Sequence, residues 1–213
     1  MGLTAVLLVG FIAGVLMFSG DMLLYYDKRD YVSDGTLNPV IGIMKDVSDK
    51  RLYAGGVIGP IAAFLYCIGY YHMVLIANHA FSVLATVGFL SACMGIIIGG
   101  AYHSHCAYLG LIGKADDEKA MAIVIRYFSF INMLCLVFQA IGLLILFACI
   151  VLGWTVLPRW LALLTPGILY LLLPLMKKLP KGIHIIVCGG WANLIFVIYY
   201  LAALACVALS CAA

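Results

Sequence analysis

The chain is constrained most by long apolar runs broken only by short polar stretches. About 20 consecutive apolar residues cross the ~30 Å hydrocarbon core of a bilayer. Segments 3–24, 55–77, 80–101, 122–152, 156–176 and 183–209 all reach that length. Lipid offers the backbone no hydrogen-bond partners, so each segment must be helical. The expected fold is all-α: a polytopic integral membrane bundle of six transmembrane helices. It forms a single transmembrane domain over 1–213. Composition closes off the soluble alternatives, because 66% hydrophobic and 10% charged residues cannot cover a water-facing surface.

Only Asn78 and His79 part the second and third segments. A tight hairpin is expected there, since an unbroken helix over 55–101 would be about 70 Å long. The third helix has room to continue towards Leu111, and the fourth is long enough to tilt or protrude. The first segment reads as a retained helix rather than a signal peptide. It has no basic residue before Lys28, and its apolar run exceeds the usual h-region.

Lysine and arginine set the orientation. Lys28, Arg29, Lys45, Lys50 and Arg51 lie between the first and second segments. Lys114 and Lys119, with Arg126 just inside the fourth segment, follow the third, and Lys177, Lys178 and Lys181 follow the fifth. Six crossings gather these eleven on one side and leave Arg159 alone on the other. Both termini are therefore expected outside, with three basic loops in the cytoplasm. In the first loop, Asn38-Pro39 reads as the start of a short helix. Its apolar positions Val40, Ile43, Met44 and Val47 share a face, which suits an interfacial helix on the inner leaflet. Asp116, Asp117 and Glu118 precede the fourth helix, where negative charge suits a helix N-terminus.

Other features point to packing. Cys67, Cys93, Cys135, Cys149, Cys188 and Cys206 lie inside apolar runs, Cys106 and Cys211 lie at run ends, and none belongs to a CxxC. They read as small hydrophobes. Gly10-xxx-Gly14 and Gly95-xxx-Gly99 permit close helix contact. The pairs Tyr25-Tyr26, Tyr70-Tyr71 and Tyr199-Tyr200 read as tyrosine belts at the membrane surface.

Chemistry must come from scattered polar residues. Every lysine lies in a loop, which excludes a retinal Schiff base, and the sequence has no P-loop, HExxH, GxSxG or CxxCH. Asp21 is the one acidic residue inside an apolar span. Such a residue marks a functional candidate because it is costly in lipid. The expected topology places His103, Arg126, Asn132, Trp191 and Asn193 in the same cytoplasmic half, with Tyr25 and the further aromatic side chains Tyr102 and Tyr127. Arg126 is the expected counter-ion of Asp21. His103, His105 and His184 could donate to a metal with Asp21, but His103 and His105 point apart on a regular helix and no HxxxH occurs, so no metal or other cofactor is expected. His72 and His79 share one helix face, the wrong arrangement for a bis-histidine haem. Gln139 is read as an interhelical hydrogen bond.

The motifs Gly20-Asp21-Met22-Leu23-Leu24-Tyr25 and Gly190-Trp191-Ala192-Asn193-Leu194 resemble those of a family of small bacterial multi-pass membrane proteins with no assigned function. The resemblance implies a bacterial cytoplasmic membrane and singles out Asp21, Trp191 and Asn193, but implies no activity.

Three functions compete. The favoured one is binding or transport of a small amphiphilic ligand through a cytoplasm-facing polar cavity. A chain of 213 residues is small for an alternating-access carrier, which makes a homodimer a candidate partner. The alternatives are an intramembrane enzyme acting on a lipid-like substrate by metal-assisted or Asp/His acid–base chemistry, and a structural or assembly protein. The expected partners are the lipid bilayer and a small-molecule or lipid ligand. A net charge of +3 gives no reason to expect nucleic acid.

Overall fold

The computed structural model describes residues 1–27, 37–180 and 182–212, so Lys28, Arg29 and Lys181 of the orientation argument lie outside the described residues. The long helices are α1 (Leu3–Tyr25), α3 (Asp49–Tyr70), α5 (Ser82–Ala115), α6 (Glu118–Val151) and α9 (His184–Ala212). Between them lie the shorter α2 (Asn38–Met44), α4 (His72–Ile76), α7 (Pro166–Tyr170) and α8 (Leu173–Met176). The stretches Leu3–Tyr25, Asp49–Ile76, His79–Ala115, Glu118–Val151 and His184–Ser210 are long and apolar enough to cross a membrane. Five such helices mark a membrane-embedded protein.

Glycines set the helix spacing. Gly69 of α3 meets the Gly10 backbone of α1 near one end, and Gly55 meets Leu24 near the other, so the two helices run antiparallel. Gly95 of α5 lies against Gln139 and Cys135 of α6, and Gly190 of α9 against Phe18 of α1. The chain breaks at Ala77 and Asn78, where Ala77 forms an isolated bridge to Thr155. Ala77 and Thr155 mark the same end of the bundle. At the other end α1 finishes and α3, α6 and α9 begin.

Segment 156–176, expected as one helix, is three short pieces: a 3-10 turn over Arg159–Leu164, then α7 and α8. The breaks follow Pro158, Pro166 and Pro174. Proline removes an N–H, and its ring pushes the preceding residue out of the helical region. The pieces still run from the Thr155 end to the His184 end. Side chains tie the pieces down: Trp191 Nε1 of α9 donates to the Leu169 carbonyl at 3.2 Å, and the Thr165 hydroxyl donates to the Ala162 carbonyl at 2.7 Å.

Two other expectations change. The tyrosine pairs are not a surface belt: Tyr70, Tyr199 and Tyr200 are buried among themselves and Phe196, while Tyr26 and Tyr71 are exposed. Ring packing holds all three there, and internal hydrogen bonds satisfy the hydroxyls of Tyr70, with Gln139, and Tyr199, with His72. Ile43, Met44 and Val47 of the α2 region turn towards the bundle, buried with Leu52, Ala107 and Leu109.

Local capping fixes the end that carries the basic residues. Arg51 donates to the carbonyls of Leu23 at 2.9 Å, Met22 at 3.1 Å and Tyr26 at 3.0 Å. These include orphan acceptors of the last turn of α1, where a cation also suits the helix dipole. The Asp117 carboxylate caps α6 by accepting from the Ala120 N–H at 2.9 Å.

Candidate functional site

Asp21 sits one turn before the end of α1 and is 7% exposed. Its Oδ1 lies 3.1 Å from Nε2 of His103 on α5, and its Oδ2 accepts from Nδ2 of Asn193 on α9 at 2.7 Å. Asn193 in turn accepts from the Tyr66 hydroxyl of α3 at 3.4 Å. Four helices thus converge on one carboxylate.

His103 fits because two glycines make room for it. A Cβ at Gly59 would lie 2.7 Å from the His103 Cβ, and one at Gly20 would lie 2.9 Å from its Cε1. Gly20 therefore serves Asp21 indirectly, by letting the imidazole reach the next residue of α1. The same contact fixes the tautomer. Nδ1 is turned towards Gly59 and is buried with no hydrogen-bond partner. A proton on Nδ1 would be an orphaned donor, so the arrangement favours Nε2–H donating to Asp21. Both carboxylate oxygens then accept a hydrogen bond, one from an imidazole N–H and one from an amide N–H. Among the described residues, no lysine or arginine nitrogen forms an ion pair with Asp21.

Beside this network lies a cavity of about 270 Å³. Its polar wall is Asp21, Tyr25, His103, Lys177 and His184. Val40, Met44, Leu109, Phe128, Leu173 and Ile185 make much of the apolar wall, and Cys106 and Cys188 add two thiols. The cavity lies at the basic end of the bundle, with α2 and α8 contributing to its sides. The Tyr25 hydroxyl donates to the Gly189 carbonyl, which fastens the end of α1 to the start of α9.

The remaining expected site residues divide. Trp191 is buried but anchors α7 instead of lining the cavity. Asn132 is half-buried on α6, away from the cavity wall. Arg126 is exposed, so the expected Asp21–Arg126 pair is replaced by Asp21–His103. The reason is azimuth: Arg126 precedes the buried Gln139 by 13 residues, about 220° around a regular helix. His105 lies on the side of α5 away from His103, with Nδ1 2.6 Å from the Ala101 carbonyl and its ring against Tyr108 and Tyr127. The helix runs unbroken past both histidines. Among the described residues, no three His, Cys, Asp or Glu side chains are grouped to hold a metal ion.

Tyr66, Lys177, Gly59 and Cys188 were not among the expected site residues. Tyr66 and Gly59 were legible only as helix-interior residues, and Lys177 only as a loop cation. A second buried polar group lies nearer the other end: His72 Nε2 is 2.8 Å from the Tyr199 hydroxyl, and Nδ1 is 2.7 Å from the Gly69 carbonyl. The Tyr200 hydroxyl beside it is buried without a partner.

Over residues 3–209 the sequence matches the model of a family described as a family of unknown function, DUF6796, and the chain belongs to that family. No curated protein and no solved structure matches it.

Proposed function

Starting from that family membership, we propose that the chain is a six-crossing protein of the bacterial cytoplasmic membrane that binds a small amphiphilic molecule from the cytoplasmic side, as a binding protein or as the binding step of a carrier. The observation that carries this reading is the cavity itself: a buried, hydrogen-bonded carboxylate set into otherwise largely apolar walls. Such a pocket, with few placed polar groups in an apolar surround, is the usual form of a small-molecule site. The broken segment after Thr155 supplies the sixth crossing, because it leads from one end of the bundle to the other. Lys45, Lys50, Lys114, Lys119, Lys177 and Lys178 all belong to the cavity end, whereas Arg159 lies against Gly153 at the opposite end. That bias supports a cytoplasmic cavity and outward termini. The acid–base enzyme reading is weaker, since Nε2 of His103 is held by Asp21 and Nδ1 faces Gly59, leaving neither nitrogen of His103 for a substrate.

Cys188 provides the test, because it lines the cavity and is only half-buried. In a variant that keeps Cys188 as its sole cysteine, a membrane-impermeant thiosulfonate should label inside-out vesicles and spare right-side-out ones. Filling the cavity with Leu109→Trp should slow labelling about tenfold or more, the equivalent of ~1.4 kcal/mol. Equal labelling from both faces, or a rate indifferent to the filled cavity, would refute the proposal.

A further inference from the structure

We propose that the ligand of this cavity is a monocation: a protonated or quaternary amine on a short apolar body. The inference rests on reading the cavity as a ligand site and adds the charge of its occupant. Among the described residues, Asp21 is the one acidic side chain on the cavity wall. His103 and Asn193 orient its two oxygens by hydrogen bonds, and no described lysine or arginine pairs with it. A buried charge left without an opposite charge is costly, and a cationic guest removes that cost. Tyr25, Tyr102 and Phe128 also line the cavity, with the rings of Tyr102 and Phe128 stacked at 4.0 Å. Aromatic faces attract ammonium groups, most strongly when the site is dry. Met44, Leu109 and Ile185 offer such a guest apolar contact, and His184, Cys106 and Cys188 share the wall with them.

Size and sign narrow the class. A volume of about 270 Å³ lies near the lower end of the ~300–1,000 Å³ usual for small-molecule sites, which suits a short chain or a single ring. Lys177 is exposed on the same wall. It would repel a second positive charge, so the site favours a monocation over a diamine. It also gives the proposal a readout that does not depend on altering the buried network. For a cationic ligand, removing the lysine should strengthen binding; for an anionic ligand, it should weaken it.

The experiment is equilibrium binding of radiolabelled n-hexylammonium to the full chain in nanodiscs, with empty nanodiscs subtracted. Unlabelled hexanoate and hexanol serve as competitors. Hexylammonium should bind saturably, and neither competitor should displace it at equal concentration. Asp21→Asn should weaken binding about tenfold or more, Asp21→Glu should restore part of it, and Lys177→Ala should tighten it. Asp21→Asn protein that retains its helical content but binds as before would overturn the proposal. So would weaker binding by Lys177→Ala, which would make the ligand an anion. Equal competition by hexanol and hexanoate, lost when Leu109→Trp fills the cavity, would overturn the cation assignment and leave the cavity reading standing. Absence of saturable binding by all three compounds, together with Cys188 labelling unaffected by Leu109→Trp, would remove both.

Discussion

His103→Ala is expected to lower the unfolding free energy in detergent by about 3–5 kcal/mol, the range for stripping one partner from a buried charge. The change removes the donor to Asp21 Oδ1 and opens a void between Gly20 and Gly59, which already touch the ring. A void and a lost charge-assisted hydrogen bond add their costs. His103→Gln, which keeps an N–H donor on a side chain of similar reach, should recover part of the loss. His105→Ala, two residues on and outside the network, should stay within about 0.5 kcal/mol of the parent. Denaturant or thermal unfolding of the three variants measures this. Equal losses for His103→Ala and His105→Ala would mean that the bond to Asp21 contributes nothing.

Gly69→Ala is expected to be the most damaging single methyl in the bundle core, at about 3 kcal/mol or more. Its Cβ would sit 2.5 Å from Gly10 Cα and 3.0 Å from Gly10 N, with the Tyr200 hydroxyl also at 3.0 Å. Backbone cannot rotate away as a side-chain tip can, so α1 and α3 must separate. Because α1 carries Asp21 and α3 carries Gly59, the separation should also loosen His103 and weaken ligand binding. Gly42→Ala in α2 is the matched control. Nothing lies within 4 Å of its added Cβ, and alanine improves helix propensity by up to about 1 kcal/mol. Thermal unfolding of both variants decides the matter, and a Gly69→Ala protein as stable as Gly42→Ala would contradict the close α1–α3 contact.

Much of this arrangement was legible in the sequence at the level of depth. Apolar length locates the helices and the break after Ala77, and the expense of a carboxylate in lipid singles out Asp21. Counting along antiparallel helices brings His103, Asn193 and Arg126 to the same level. Azimuth was harder to read. Hydrophobic periodicity is nearly uninformative when both lipid and core are apolar, so nothing in α6 marked Arg126 as facing outward. The small residues were the better guide: Gly100, Ala107 and Gly110 share the face of α5 that meets α3, and His103 lies among them. The Pro158, Pro166 and Pro174 spacing was also in the sequence, but apolar length alone conceals the breaks it causes. The paired tyrosines misled because a belt and a buried ring cluster have the same composition.

The central claim is that the Asp21 carboxyl lines the cavity, held by His103 and Asn193 and not by Arg126. A double-mutant cycle of Asp21→Asn with Asn193→Ala, read by thermal stability in detergent, tests it most directly. The parallel cycle of Asp21→Asn with Arg126→Gln serves as reference. The account predicts that the Asn193 cycle departs from additivity by about 1 kcal/mol or more and that the Arg126 cycle adds within about 0.5 kcal/mol. Additive losses in the Asn193 cycle, or coupling confined to the Arg126 cycle, would contradict it.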